Sequence, residues 1–235
     1  ENGCSDTVTV EITENEPVAV SEEHSDYAGF GVSCKNETDG FIDLTTNGGT
    51  QVYTYNWTDQ DGNVVTANEQ GNLENIGAGT YTAIVTDENG CSDTVTVEIT
   101  EPEIGVEVTE EHSDYTGSGV SCNGETDGFI DLTATGGTET YTYNWTDQDG
   151  NAVTANDQGN LENIGAGTYT AVVTDENGCS DTVTVEITEN EPISISEEPS
   201  DYTGSGVSCN GQTDGFINIT TTGGTQVYTY DWTDQ

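Results

Sequence analysis

The 235-residue chain carries 45 acidic side chains against a single base, Lys35, for a formal charge of -44. Nucleic acid is excluded as a partner, because binding it requires cationic side chains that displace phosphate counterions, and an anionic membrane surface repels such a chain equally. No apolar run approaches the ~20 residues of a spanning helix, so no direct membrane insertion is expected. A hydrophobic fraction of 31% with this much charge would ordinarily suggest disorder, but here the apolar residues are clustered and periodic.

In chain order, ENGCSDTVTVEIT (1–13) comes first and returns as the end of each later copy. Pro17 marks a linker, and an alternating segment at 41–46 then places Ile42 and Leu44 on one face. In 52–57, Tyr53, Tyr55 and Trp57 share a face, and Asp61-Gly62 follows as a hairpin signal. The 80–86 strand turns Tyr81, Ala83 and Val85 inward, Asn89-Gly90 makes a second hairpin, and 94–99 aligns Val95, Val97 and Ile99. The series then repeats: Cys4 to Cys91 is 87 positions and Cys91 to Cys179 is 88. The one-residue difference falls between Ile12 and Cys34 (22 positions) and Ile99 and Cys122 (23 positions), which places the boundaries in the linkers marked by Pro17, Pro102 and Pro192. The expected organisation is the last strand of a preceding repeat at 1–13, complete repeats at 14–100 and 101–188, and the N-terminal part of another at 189–235. That reading makes the chain a window on a longer array. Short strands separated by turns, with no helical period, predict an all-β protein of tandem immunoglobulin-like sandwiches forming a rod.

VSCNGETDGFIDLTATGGT, YTYNW, GAGTYTAVVTDENGC and TVTVEITEPE resemble, in that order, the SprB-type repeat of Bacteroidetes cell-surface adhesins, named after an adhesin of gliding bacteria. The resemblance spans essentially the whole chain. It departs at one turn, where Gly-Gly-Thr-Gln-Val-Tyr (48–53) or Gly-Gly-Thr-Glu-Thr-Tyr (136–141) stands in place of a common Gly-Gly-x-Pro-Tyr. It implies an exported, extracellular surface or filament protein and no catalytic site. The partners it implies are neighbouring repeats of the same long chain, with other filament chains or surface polysaccharide as further candidates.

Two cysteines per repeat in an exported chain predict one disulfide per repeat. Cys34–Cys91 and Cys122–Cys179 within domains are favoured over Cys4–Cys34, Cys91–Cys122 and Cys179–Cys209 across linkers, leaving Cys4 and Cys209 to pair outside this sequence. The favoured pairing assumes that Cys34 lies beside the start of the strand that Cys91 opens. Acidic turns supply candidate Ca²⁺ ligands: Asp59, Asp61, Asn63, Asp87, Asn89 and Asp93, and in the next copy Asp147, Asp149, Asn151, Asp175, Asn177 and Asp181. Asp-Thr-Val recurs once per copy, making Thr7, Thr94 and Thr182 candidates for O-glycosylation, with Asn36, Asn56, Asn144 and Asn218 as weaker N-linked candidates. His24 and His112 are replaced by Pro199 in the third copy, so no general base repeats, and an enzyme is not expected. The expected function is a structural stalk of a repetitive adhesin, disulfide-stapled and calcium-rigidified. The alternative is that the repeats themselves bind polysaccharide or protein.

Overall fold

The computed structural model describes residues 2–233. It divides into two compact units. Unit 1 is residues 1–105 together with the turns 136–140 and 175–179, and unit 2 is 106–135, 141–174 and 180–235.

In unit 1 the strands are β1 (Ala19–His24), β2 (Gly40–Asn47), β3 (Tyr53–Thr58), β4 (Val64–Val65), β5 (Leu73–Ile76), β6 (Gly79–Asp87) and β7 (Ser92–Ile99). They form one sheet in the order β1-β2-β5 and another in the order β4-β3-β6-β7, with antiparallel pairing throughout. Alternation within the strands builds the core. Val32, Ile42, Trp57, Leu73, Ile76, Ala83, Val97 and Ile99 are buried together, with Leu44, Tyr81 and Val95 packed against them. The Trp57 indole N–H donates to Gly71 O at 2.8 Å, and the Tyr81 hydroxyl donates to Gly77 O at 3.0 Å. Each large amphipathic ring thereby satisfies its polar atom while burying its apolar body.

In unit 2 the same series runs β8 (Glu107–His112), β9 (Gly128–Thr135), β10 (Tyr141–Asp147), β11 (Ala152–Val153), β12 (Leu161–Ile164), β13 (Gly167–Asp175) and β14 (Ser180–Ile187). Its sheets are β12-β9-β8 and β11-β10-β13-β14, around Trp145, Ile130, Leu161 and Val185. A two-stranded sheet, β15 (Ser194–Pro199) with β16 (Ile217–Thr222), completes it.

The four strands expected from alternation are present: β2, β6 and β7 are each two residues longer than expected, and β3 has the expected length but is shifted by one residue. Residues 3–18 carry no strand, and Val8, Val10 and Ile12 are exposed. The same TVTVEI sequence is a strand in β7, where it pairs along β6. Trp232 is 63% exposed, against 1% for Trp57: YTYDW at 228–232 pairs with no strand among the described residues.

Candidate functional site: cysteine loops and acidic hairpins

Within unit 1 the first copy has two chemically distinct ends. At one, the hairpin Asp87–Cys91 is held by a carboxylate. Asp87 Oδ1 accepts the N–H groups of Asn89 (3.0 Å) and Cys91 (2.8 Å), and Oδ2 accepts that of Thr50 (3.1 Å). Gly90, at φ +87°, closes the turn onto Asp87 O. Burial acts to raise the Asp87 pKa, but the N–H groups of Cys91, Thr50 and Asn89 outweigh it and hold the carboxyl below its ordinary 3.8. The linker joins this end, since Gly49 N–H donates to Glu16 O. The equivalent linker carbonyls are those of Ile104 and Glu191, so the extra residue of the middle linker is absorbed between Thr100 and Ile104.

At the other end lies the loop that carries Cys34. Ser25 Oγ bonds Gly31 O (2.5 Å) and accepts Phe41 N–H (3.0 Å), while Asp39 Oδ1 accepts Ser33 N–H (3.0 Å). Gly31 and Val32 donate to Thr100 O, just past the C-terminal end of β7, and the chain continues outward from there to Cys34. Lys35 Nζ donates to Glu103 O, and Asn36 N–H to Glu101 Oε2 at 2.6 Å.

These contacts overturn the favoured disulfide pairing. Cys34 is bonded to Cys179, with Cα atoms 5.7 Å apart, while Cys91 and Cys122 are free and exposed, as are Cys4 and Cys209. Cys91 precedes the first residue of β7 and Cys34 lies beyond its last. Eight residues of strand span about 26 Å, several times the Cα separation that a disulfide tolerates. Cys122 and Cys179 stand in the same relation to β14. Beside the bond, Asn177 Nδ2 donates to Tyr27 O (3.0 Å) and Ser33 O (3.2 Å), and Thr138 N–H donates to Asp175 Oδ2 (3.0 Å). Sequence reasoning missed Tyr27, Ser33, Thr138 and the amide role of Asn177. The available signal was DENGC, verbatim at 87–91 and 175–179.

The acidic turns use their oxygens internally. Asp59 accepts N–H groups from Asp61 and Asn63 and the Asn63 amide, all at 2.9 Å, and the Asn63 side chain and backbone with Asp61 N–H hold its pKa below 3.8. Asp147, Asp149 and Asn151 repeat that turn. Asp93 accepts Val20 and Thr94 N–H groups, which lower its pKa, and Asp181 accepts Val108 and Thr182. Among the described residues, no three His, Cys, Asp or Glu side chains gather so as to hold a metal ion. Asp59, Asp87, Asp93, Asp147, Asp175 and Asp181 thus accept N–H groups of their own or neighbouring turns, while Asn63, Asn151 and Asn177 donate their side-chain amides. Thr94 and Thr182 are exposed on β7 and β14, Thr7 is exposed, and Asn36, Asn56, Asn144 and Asn218 are exposed as well. His24 and His112 each bond a neighbouring glutamate, Glu22 and Glu110, at 2.8 Å.

Seven antiparallel strands in a three-on-four sandwich, with a buried tryptophan and a tyrosine hydroxyl tied back four residues, define an immunoglobulin-like domain. The SprB repeat model matches residues 32–62, 118–150 and 204–235, so three stretches of the chain are similar to that repeat. A comparison with curated proteins found no match. Among solved structures, the crystal structure of Dpr2 Ig1-Ig2 in complex with DIP-Theta Ig1-Ig3 aligns at 10% identity and a TM-score of 0.30, covering 78% of this chain and 74% of that one.

Proposed function

We propose that this chain belongs to an extracellular cell-surface adhesin and that its sandwiches form the stalk. SprB repeats belong to cell-surface proteins, which supports the location. The stalk role rests on duplication at the level of contacts. Trp57 and Trp145 bond Gly71 and Gly159, Tyr81 and Tyr169 bond Gly77 and Gly165, and Asp87 and Asp175 cap identical hairpins. A spacer needs mechanical sameness from every unit, whereas a ligand site need be built only once. The bond between Cys34 and Cys179 supports stapling, because it closes a long loop that tension would otherwise extend. Calcium binding to the acidic surface and glycosylation at Thr7, Thr94 and Thr182 are further parts of the proposal. Mutual repulsion among so many carboxylates is what cations would relieve.

Small-angle scattering on chains of increasing repeat number tests the stalk. A maximum dimension growing linearly with repeat number is expected. A dimension that saturates, or glycan-array binding by a single repeat, would transfer the function to the alternative reading, in which each repeat holds polysaccharide or protein. Intact mass of native material tests the glycans: an unmodified Thr94 peptide removes them.

A further inference from the structure

Within unit 1, the hairpin Asp175-Glu-Asn-Gly-Cys179 sits on the loop of Tyr27, Ser33 and Cys34, held by two Asn177 amide bonds and the disulfide. The loop belongs to the first copy and the hairpin to the second, so the bond passes over the first copy's own hairpin cysteine, Cys91. The loop's internal bonds recur in each copy. Ser25, Ser113 and Ser200 Oγ donate to Gly31, Gly119 and Gly206 O at 2.5, 2.5 and 2.6 Å. Ser33, Ser121 and Ser208 N–H donate to Asp39, Asp127 and Asp214 Oδ1 at 3.0, 3.0 and 3.1 Å. The hairpin recurs as well: Asp87 accepts the N–H groups of Asn89 and Cys91, and Asp175 those of Asn177 and Cys179. Neither partner of the bond is particular to the position where it is seen.

We propose that each copy's loop takes the hairpin of the copy after it, so that in an array of these repeats the disulfide-closed loops overlap. Cys34–Cys179 closes over 145 positions, more than one 88-position period, and Cys122 lies inside that span. The bond from Cys122 to the next hairpin therefore starts within the first loop and ends beyond it. Each bond forms when two thiols pass two electrons and two protons to a disulfide oxidant such as glutathione disulfide, which leaves as two thiols. This deepens the stalk reading and rests on it for the array, but not for the bond.

Overlap limits extension by connectivity alone. From Cys91 the chain runs 31 positions to Cys122, whose bond leads to the hairpin cysteine two copies beyond Cys91. Two copies thus share one load path of 31 positions. At ~3.4 Å per residue, an array with every strand unfolded reaches about 50 Å per copy, against about 300 Å without bonds. Bonds closed within copies would allow about 100 Å, because each copy would then contribute its own 31 positions. The strands β2 to β6 lie between Cys34 and Cys91, off the load path. The same overlap keeps an array in one piece when a linker is cut, since Cys34–Cys179 spans the linker at 100–106.

On this chain the bond is tested with a lysine-specific protease. Lys35 is one site, and Glu103→Lys in the exposed linker adds a second. Cys4→Ser and Cys209→Ser leave Cys34 as the sole cysteine of the first fragment. After oxidation in glutathione buffer, blocking of free thiols and unfolding in urea, cleavage gives 1–35, 36–103 and 104–235. A non-reducing gel should show 1–35 joined to 104–235 with 36–103 released, and Cys179→Ser should free 1–35. Joining of 1–35 to 36–103 overturns the proposal, as does free 1–35 without the Cys179 substitution. For the overlap, chains continued at the same period to three, four and five copies are pulled from their ends. Each added copy should lengthen the oxidised chain by about 50 Å and the reduced chain by about 300 Å. An oxidised increment of about 100 Å or more overturns the overlap. A scattering dimension that saturates with repeat number would remove the stalk while both of these results stand.

Discussion

Cys34 and Cys179 are separated by 145 residues and bonded, whereas Cys34 and Cys91, far closer in sequence, sit beyond opposite ends of β7. The bond follows from the direction of the chain at Thr100, whose carbonyl takes the N–H groups of Gly31 and Val32 and sends the Cys34 loop away from Cys91. Non-reducing peptide mapping should join Cys34 to Cys179. In the chain-entropy model a loop of this length contributes up to about 5 kcal/mol, so Cys34→Ser should lower the melting temperature by several degrees. Cys91→Ser should leave it unchanged. Recovery of a Cys34–Cys91 peptide would contradict the structure.

Asp87 provides a second test, because one carboxylate serves three backbone donors from two turns. Asp87→Ala strands Thr50, Asn89 and Cys91 N–H groups at a buried position and should destabilise unit 1 by about 1–3 kcal/mol. Asp87→Asn keeps one acceptor oxygen and should fall between. Thermal melts of the two variants should rank in that order. An unaltered melt for the alanine variant would mean that water replaces the carboxylate.

Gly62 and Gly71 separate backbone strain from crowding. Both have positive φ, +80° and +87°. A Cβ at Gly62 meets nothing within 4 Å, whereas at Gly71 it would lie 2.4 Å from the Tyr55 ring, next to the carbonyl that accepts the Trp57 indole N–H. Gly62→Ala should therefore cost about 1 kcal/mol, for backbone conformation alone. Gly71→Ala should cost 1–3 kcal/mol more by overpacking and should shift Trp57 fluorescence. Equal costs would show that Tyr55 swings aside freely.

The core was legible because alternation and turn residues are local signals: Trp57, Ala83, Val97 and Ile99 are buried where period two puts them. β1 was hidden inside a charged stretch. Its Glu22, Glu23 and His24 pair with Leu44, Asp43 and Ile42 through backbone alone, which leaves no apolar alternation to read. The acidic turns were visible but ambiguous. Carboxylates two residues apart suit either a cation or the N–H groups of their own turn, and Asp59 does the latter. The disulfide was illegible in principle, since residue spacing does not state which end of a strand a loop reaches.

The charge and the Asp turns make opposite contributions to acid stability, which predicts a maximum. Asp59, Asp87, Asp93 and Asp147 are held below the ordinary 3.8 by donated hydrogen bonds. A carboxyl depressed on folding contributes stability that is present above its unfolded pKa and lost as pH falls through the folded value, here below 3.8. The net charge of -44 works the other way, because protonating surface carboxylates relieves self-repulsion before those Asp groups are reached. Melting temperature should rise on acidification from neutrality to about pH 4.5 and fall below about pH 3.5. A continuous rise to pH 2 would remove the Asp turns as a stabilising feature. At neutral pH the same repulsion is open to cations. NaCl acts only by screening, so CaCl₂ at matched ionic strength should raise the melting temperature further if calcium bridges carboxylates, and equally if it does not. Asp59→Asn with Asp147→Asn separates these outcomes, because a calcium increment that survives the double substitution cannot come from those turns.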